Sequence, residues 1–260
     1  MQERKSVIID AGHGGSDPGA VYEGRQEKDD ALNLALAVGR ILENNGVDVM
    51  YTRINDVYDT PLEKAQIANE SGADYLVSIH RNAMPIPGTA SGIMSLVYEN
   101  GGTAELMGKN INQELARLGF QDLGVMERPG LIILRKSDMP AVLVEAGFLD
   151  NPVDNEMFDR NFWQIAQAIA NGVLTTIRQE EEMKPRYYQI QIGSYLNRKM
   201  AEEAAAQLTE QGYPAFYVYQ DGYYKVRVGA YLNLDNAVHM EQKLKRNGYP
   251  TMMILEPGIY

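Results

Sequence analysis

The chain has no cysteine in its 260 residues. That absence excludes a thiol nucleophile, a cysteine-ligated zinc site and a disulfide framework. Histidine is scarce, at three residues, and so is positive charge: 24 Lys and Arg face 35 Asp and Glu, for a net charge of −11. Such a balance argues against generic binding to nucleic acid or to an anionic membrane. No apolar run approaches the roughly 20 residues of a membrane-spanning helix. Met1-Gln2-Glu3-Arg4-Lys5 leads straight into Ser6-Val7-Ile8-Ile9-Asp10, which reads as a core strand. The apolar segment of about 7–15 residues that marks an ordinary signal peptide is missing, so none is expected in this chain. What is present is the composition of a globular protein, 45% hydrophobic and 23% charged, long enough for one large domain or two modest ones.

Charge is unevenly spread. Residues 184–260 hold nine Lys/Arg and seven Asp/Glu, a net +2 that leaves −13 for residues 1–183. The composition changes at Arg178-Gln179-Glu180-Glu181-Glu182-Met183-Lys184-Pro185, a charged run closed by proline. Such a run suits a linker, placed at 179–186, between a domain over 1–178 and a second over 187–256. The second contains a repeat: Tyr187-Tyr188-Gln189-Ile190-Gln191-Ile192-Gly193-Ser194-Tyr195-Leu196-Asn197 returns 36 positions later as Tyr223-Tyr224-Lys225-Val226-Arg227-Val228-Gly229-Ala230-Tyr231-Leu232-Asn233. Each unit reads as an alternating strand, a helix of about 14 residues, a glycine stop and a second strand. Together they predict a small α+β domain of βαββαβ order, one four-stranded sheet with two helices on one face.

In the first domain, Val7–Asp10, Val47–Tyr51, Tyr75–His80, Ile93–Tyr98, Leu131–Leu134 and Ala141–Glu145 read as buried strands. Helical patterns lie between them at about 29–45, 61–71, 103–118 and 155–178. Thr60-Pro61-Leu62-Glu63 is a helix start, with a capping Thr, Pro in the first turn and Glu three residues after the cap. This rhythm predicts an α/β fold with a mostly parallel sheet flanked by helices, whose ligands bind beyond the carboxyl ends of the strands.

The chemistry gathers at those ends. His13 follows the first strand in Asp10-Ala11-Gly12-His13-Gly14-Gly15, His80 closes Val77-Ser78-Ile79-His80, and Glu145 closes Val142-Leu143-Val144-Glu145. Two imidazoles and carboxylates without thiols make a donor set that fits zinc. Spacing does not choose the carboxylate ligand, because Glu23, Glu27, Asp29 and Asp30 all crowd the start of the first helix. The glycines around His13 are equally consistent with a tight strand-to-helix turn. A phosphate-cradling loop is disfavoured, since no Lys stands in the P-loop position.

These segments carry a resemblance. Asp10-Ala11-Gly12-His13-Gly14-Gly15-Ser16-Asp17-Pro18-Gly19-Ala20, Glu27-Lys28-Asp29, Ser78-Ile79-His80-Arg81-Asn82-Ala83 and Met139-Pro140-Ala141-Val142-Leu143-Val144-Glu145-Ala146-Gly147-Phe148 make residues 6–177 resemble the zinc-dependent N-acetylmuramoyl-L-alanine amidases of bacterial cell walls. The resemblance implies His13, Glu27 and His80 as zinc ligands and Glu145 as the catalytic carboxylate. It implies hydrolysis of the amide between the muramic lactyl group and L-alanine, with Glu145 taking a proton from the attacking water and returning it to the departing amine. Ala146 departs mildly from the family pattern, where a larger apolar residue is common. Some family members plug the zinc with a helix inserted after the second ligand histidine. Here Arg81–Ser91 is short and holds Pro85, Pro87 and Gly88, which predicts an open site.

Residues 187–255 resemble the SPOR domain, a module that binds glycan strands stripped of stem peptides. Strand parity agrees: Ile190, Ile192, Val226 and Val228 face the helices, while Gln189, Gln191, Tyr223, Lys225 and Arg227 share the open face. The resemblance implies Gln191, Ser194, Tyr223 and Lys225 as glycan contacts. An RNA-binding sheet is the competing reading, and the spacing of its aromatic motifs is not met. A same-fold zinc hydrolase of another amide and a catalytically inactive wall-binding protein are the competing functions. The expected partner is peptidoglycan, outside the membrane; neither nucleic acid nor membrane insertion is expected, and the chain is expected to be a monomer. Release on lysis of a sporulating mother cell, phage-type release or an export signal trimmed from this sequence would each reconcile that location with the missing signal peptide. A chain released by lysis is expected to stay cytoplasmic until then.

Overall fold

A computed structural model describes residues 4–183 and 185–257. They form two compact units that divide between Glu180 and Glu181. The first carries, in chain order, β1 (Ser6–Ala11), β2 (Val21–Tyr22), β3 (Arg25–Gln26), α1 (Glu27–Asn44), β4 (Asp48–Tyr51), α2 (Pro61–Ser71) and β5 (Tyr75–Asn82). There follow β6 (Ile93–Val97), α3 (Gly102–Ala116), β7 (Asp122–Glu127), α4 (Ile132–Lys136), β8 (Ala141–Phe148), α5 (Pro152–Arg160) and α6 (Phe162–Met183).

Six strands make one sheet in the order β4-β1-β5-β8-β6-β7. The first four are mutually parallel, β6 runs antiparallel to β8, and β7 runs parallel to β6. Both faces of the parallel part are covered, which is why its strands are apolar on both sides. Val7, Ile9 and Ala11 pack with Leu34 and Val38 of α1, Ile111 of α3 and Ile169 of α6. Ile8, Leu76 and Leu143 point the other way, onto Ala65 and Ala68 of α2 and Ile133 of α4. α2 starts as predicted: Thr60 accepts from the Glu63 N–H, and Glu63 accepts from the Thr60 N–H. Because β1, β5 and β8 are adjacent and parallel, their carboxyl ends open on one edge.

Two predicted elements differ. Leu131–Leu134 is not a strand: Leu131 is the extended residue that precedes α4, and Ile133 and Leu134 are buried in its single turn. A short apolar run suits a buried strand or a buried turn of helix equally well, and periodicity does not separate them. The edge strand is instead β7. The helix predicted over 155–178 is two helices, because Asn151 caps α5 through the Val153 and Asp154 amides and Asn161 breaks the run before α6. α6 continues to Met183, so most of the predicted linker is helical; Lys184 of that linker, like residues 1–3 of the predicted first domain, lies outside the described residues. Among the described residues no helix is long and apolar enough to cross a membrane.

The second unit has the predicted order: β9 (Arg186–Tyr195), α7 (Arg198–Glu210), β10 (Ala215–Gln220), β11 (Tyr223–Tyr231), α8 (Leu234–Arg246) and β12 (Met252–Pro257). Its antiparallel sheet runs β10-β11-β9-β12. Ile190, Val226 and Val228 meet Ala201 and Leu208 of α7 and Leu244 of α8 in a separate core.

Candidate active site

His13, Glu27 and His80 converge. One donor atom from each lies within 4.8 Å of the others, making a group that can hold a metal ion. Glu27 joins the set because the β2–β3 hairpin delivers the chain to the first residue of α1 beside the ends of β1 and β5. That contact could not be read from the four candidate carboxylates. Glu27 Oε2 lies 3.0 Å from His13 Nε2, and its Oε1 lies 2.8 Å from His80 Nδ1. It also accepts from the backbone N–H groups of Ala20 and Arg81. Burial would push its carboxyl up, but the two imidazoles override that and hold it well below the usual carboxylate range. Burial opposes charge on His13 as well, yet Glu27 and Asp17 raise its ring to about 9. His80 is raised for the same reason, by Glu27 against its burial.

Glu145 is the direct cross-strand neighbour of His80, since β5 and β8 pair in that register. Its Oε2 is shut off from solvent and has no hydrogen-bond partner among the described residues. Burial therefore raises its carboxyl to about 7, only partly offset by His80. A cavity of about 340 Å³ adjoins the two histidines, with Lys64 on its polar side and Leu131, Ile132 and Leu143 among its apolar walls. No helix lies between Asn82 and Ile93.

The glycines do more than turn the chain. A Cβ on Gly12 would stand 2.4 Å from Cε1 of His80. One on Gly19, which has a φ of +65°, would stand 2.6 Å from both Glu27 Oε2 and His13 Cδ2. Both positions require glycine because the site's side chains occupy the space.

Beneath the His13 loop lies a buried charge network that the sequence pattern does not reveal. Arg53 donates to the carbonyls of Ala11, Gly12 and Lys28, and Lys64 donates to those of Ala11 and His13. Asp10 accepts from Thr52 and Ser78 and pairs with Lys64 at 3.2 Å. These groups satisfy carbonyls that His13, in the left-handed region at φ 57°, turns away from regular pairing. The clue is faint: Lys64 falls on the same face of α2 as buried Ala65 and Ala68.

In the second unit a bulge settles the geometry. Val226 pairs with Gly193 and Arg227 with Gln191, so Ile192 is the extra residue. Simple alternation would put Gln191 and Ser194 on opposite faces; the bulge brings them together, with Gln191 Nε2 donating to Ser194 Oγ at 3.2 Å. Ser194 is opposite Lys225, and Tyr223 is exposed. Gln189 and Arg227, predicted for the open face, are instead buried at 1% and 2% exposure. Arg227 donates to Gln189 and Gln220 and lies 3.6 Å from Glu256.

Comparison with known proteins fits this arrangement. A family model described as N-acetylmuramoyl-L-alanine amidase matches residues 7–175, and a SPOR domain model matches residues 184–254. A sporulation-specific N-acetylmuramoyl-L-alanine amidase of Bacillus subtilis is 34% identical over 221 residues, 83% of this chain and 85% of that protein. The solved N-acetylmuramoyl-L-alanine amidase from Clostridium difficile is 32% identical with a TM-score of 0.65, covering 68% of this chain and 98% of that one. The catalytic domain of CwlV from Bacillus (Paenibacillus) polymyxa is 30% identical with a TM-score of 0.62, covering 67% of this chain and 98% of that one.

Proposed function

The chain belongs to the N-acetylmuramoyl-L-alanine amidase family and carries a SPOR domain; on that premise we propose that His13, Glu27 and His80 hold a zinc ion and that Glu145 moves the proton of the amidase reaction. The observation that carries this reading is the convergence of those three side chains beside the half-buried Glu145, whose Oε2 is shut off from solvent and has no partner among the described residues. Two imidazoles and a carboxylate, with glycine clearing the space around them, are a donor set that fits the ion. When bound, zinc supplies Lewis acidity that polarises the scissile carbonyl and brings a water's pKa toward about 7.

Glu145 performs the proton transfers. Its carboxylate takes the proton of the water that adds to the carbonyl of the lactyl–L-alanine amide. The carboxyl, now protonated, gives that proton to the alanine nitrogen as the C–N bond breaks. The lactyl carbon leaves as a carboxyl group and the stem peptide leaves with a free amino terminus. A carboxyl near 7 suits both transfers, because neither protonation state is scarce at neutral pH.

The catalytic module spans 1–178 and the glycan module 187–256. Gln191, Ser194, Tyr223 and Lys225 contact glycan strands that have lost their stem peptides, the polymer this reaction produces. The bulge that gathers Gln191 with Ser194 beside Lys225 supports that assignment. The enzyme works on the wall, outside the membrane. Digestion of purified peptidoglycan tests the reading, with metal analysis alongside. It predicts stoichiometric zinc and new L-alanine amino termini without new reducing ends, lost on chelation and restored by zinc. Zinc-bound protein that frees no alanine termini would refute the substrate, and metal-independent release would refute the site.

A further inference from the structure

The two imidazoles at the site are fixed in different ways. His80 stands on a strand with its ring lodged over the bare Cα of Gly12. His13 stands on a loop, with its side chain 25% exposed. Gly19 packs against one edge of that ring, but packing alone does not decide which atoms face Glu27. A half-turn about the Cβ–Cγ bond leaves the ring's outline nearly unchanged and puts Cε1 where Nε2 now stands.

The decision lies with Asp17. Its Oδ2 is 2.8 Å from His13 Nδ1, and its Oδ1 accepts the Gly19 N–H at 3.0 Å. The carboxylate is itself held by a short backbone clasp: Gly14 N–H donates to Asp17 O at 2.9 Å, and Asp17 N–H donates to Gly14 O at 3.0 Å. Gly14 to Gly19 thus forms a turn whose one polar side chain in contact with the site meets the outer nitrogen of His13. We propose that Asp17 is the positioning residue of the metal site, locking the ring so that Nε2 faces Glu27. The proposal rests on the reading of His13 as a zinc ligand. A carboxylate on the far nitrogen of a ligating histidine fixes its tautomer and ring orientation, and loss of such a partner typically weakens metal affinity 10- to 100-fold.

The test measures zinc affinity of the full chain by chelator competition, with cobalt(II) absorption as a second reading of the ligand set. It compares wild type, Asp17→Ala, Asp17→Asn and His13→Ala. Asp17→Ala should weaken zinc about 10- to 100-fold and lower the intensity of the cobalt bands. Asp17→Asn keeps an oxygen for the Nδ1 hydrogen and should fall between wild type and Asp17→Ala, whereas a turn that matters only for stability would move both variants equally. Asp17→Ala within about threefold of wild type, against the expected loss, would overturn the proposal. So would Asp17→Asn as weak as Asp17→Ala. A wild type that binds no zinc, or His13→Ala binding as tightly as wild type, would instead refute the ligand assignment and remove this proposal with it.

Discussion

Replacing Glu145 by glutamine keeps the shape of the side chain and removes its titration. The structure makes opposite demands on that substitution. The carboxyl is raised from 4.5 to about 7, chiefly by burial, and its Oε2 has no partner among the described residues. The folded chain therefore holds this proton more tightly than the unfolded chain does. Its contribution to stability is full below about 4.5 and is lost as pH rises through about 7. At roughly 1.4 kcal/mol per pKa unit, the ionised carboxyl destabilises the fold above neutrality by about 3 kcal/mol. Glutamine carries no such dependence. Titrations remote from Glu145 occur in both proteins and cancel in the difference. That of His80, which the Glu145 charge helps to raise, is coupled to it and forms part of the difference. Urea denaturation of the two metal-free proteins should show equal stability near pH 4.5 and a gain of about 3 kcal/mol for Glu145→Gln at pH 8. Turnover on peptidoglycan should fall about 10²- to 10⁴-fold, the usual contribution of a positioned acid–base group. A variant less stable than wild type at pH 8, or a gain independent of pH, would refute the buried-carboxyl argument. Retained turnover would remove Glu145 from the mechanism.

His80→Ala should lose both zinc and turnover, as metal analysis and digestion assays will show. Because Glu27 and Asp17 hold the His13 ring at about 9, zinc binding at neutral pH should expel protons, and calorimetry in buffers of different ionisation enthalpy should find fewer released as pH rises toward 9. A chain ending at Glu180 should cleave short soluble muropeptides with turnover close to that of the full chain and be poorly retained on sacculi. Tyr223→Ala with Gln191→Ala in the full chain should reproduce that loss of retention. With no helix between Asn82 and Ile93, the purified protein should cleave accessible peptidoglycan without an activator, and a need for one in a digestion assay would contradict the open site.

Strands that feed the site were legible because their signals are local and redundant. The runs around Val7–Asp10, Tyr75–His80 and Ala141–Glu145 are apolar on both faces, as strands covered on both sides must be. Placing His13, His80 and Glu145 at carboxyl ends then needed only the parallel direction. Glu27 was different: its contact depends on where the β2–β3 hairpin delivers the chain, and spacing carries no trace of that. Nothing in the sequence marks Arg53 and Lys64, because long cationic side chains are usually exposed and only the folded loop presents carbonyls that need them. Leu131–Leu134 is too short for periodicity to separate a buried strand from a buried helical turn. The alternation in β9 placed Gln191 correctly but could not foresee the bulge at Ile192, which shifts every later residue by one face. Gln189 and Arg227 show the same limit: parity gives the side of a sheet, not what shields it.

Whether His13, Glu27 and His80 hold one zinc ion next to Glu145 can be seen by anomalous diffraction. Crystals of the zinc-loaded full chain, measured on both sides of the zinc absorption edge, test it most directly. One anomalous peak should lie in the space enclosed by those three side chains and be absent in His80→Ala. A peak elsewhere, or none at this site in zinc-loaded protein that cleaves peptidoglycan, would contradict it.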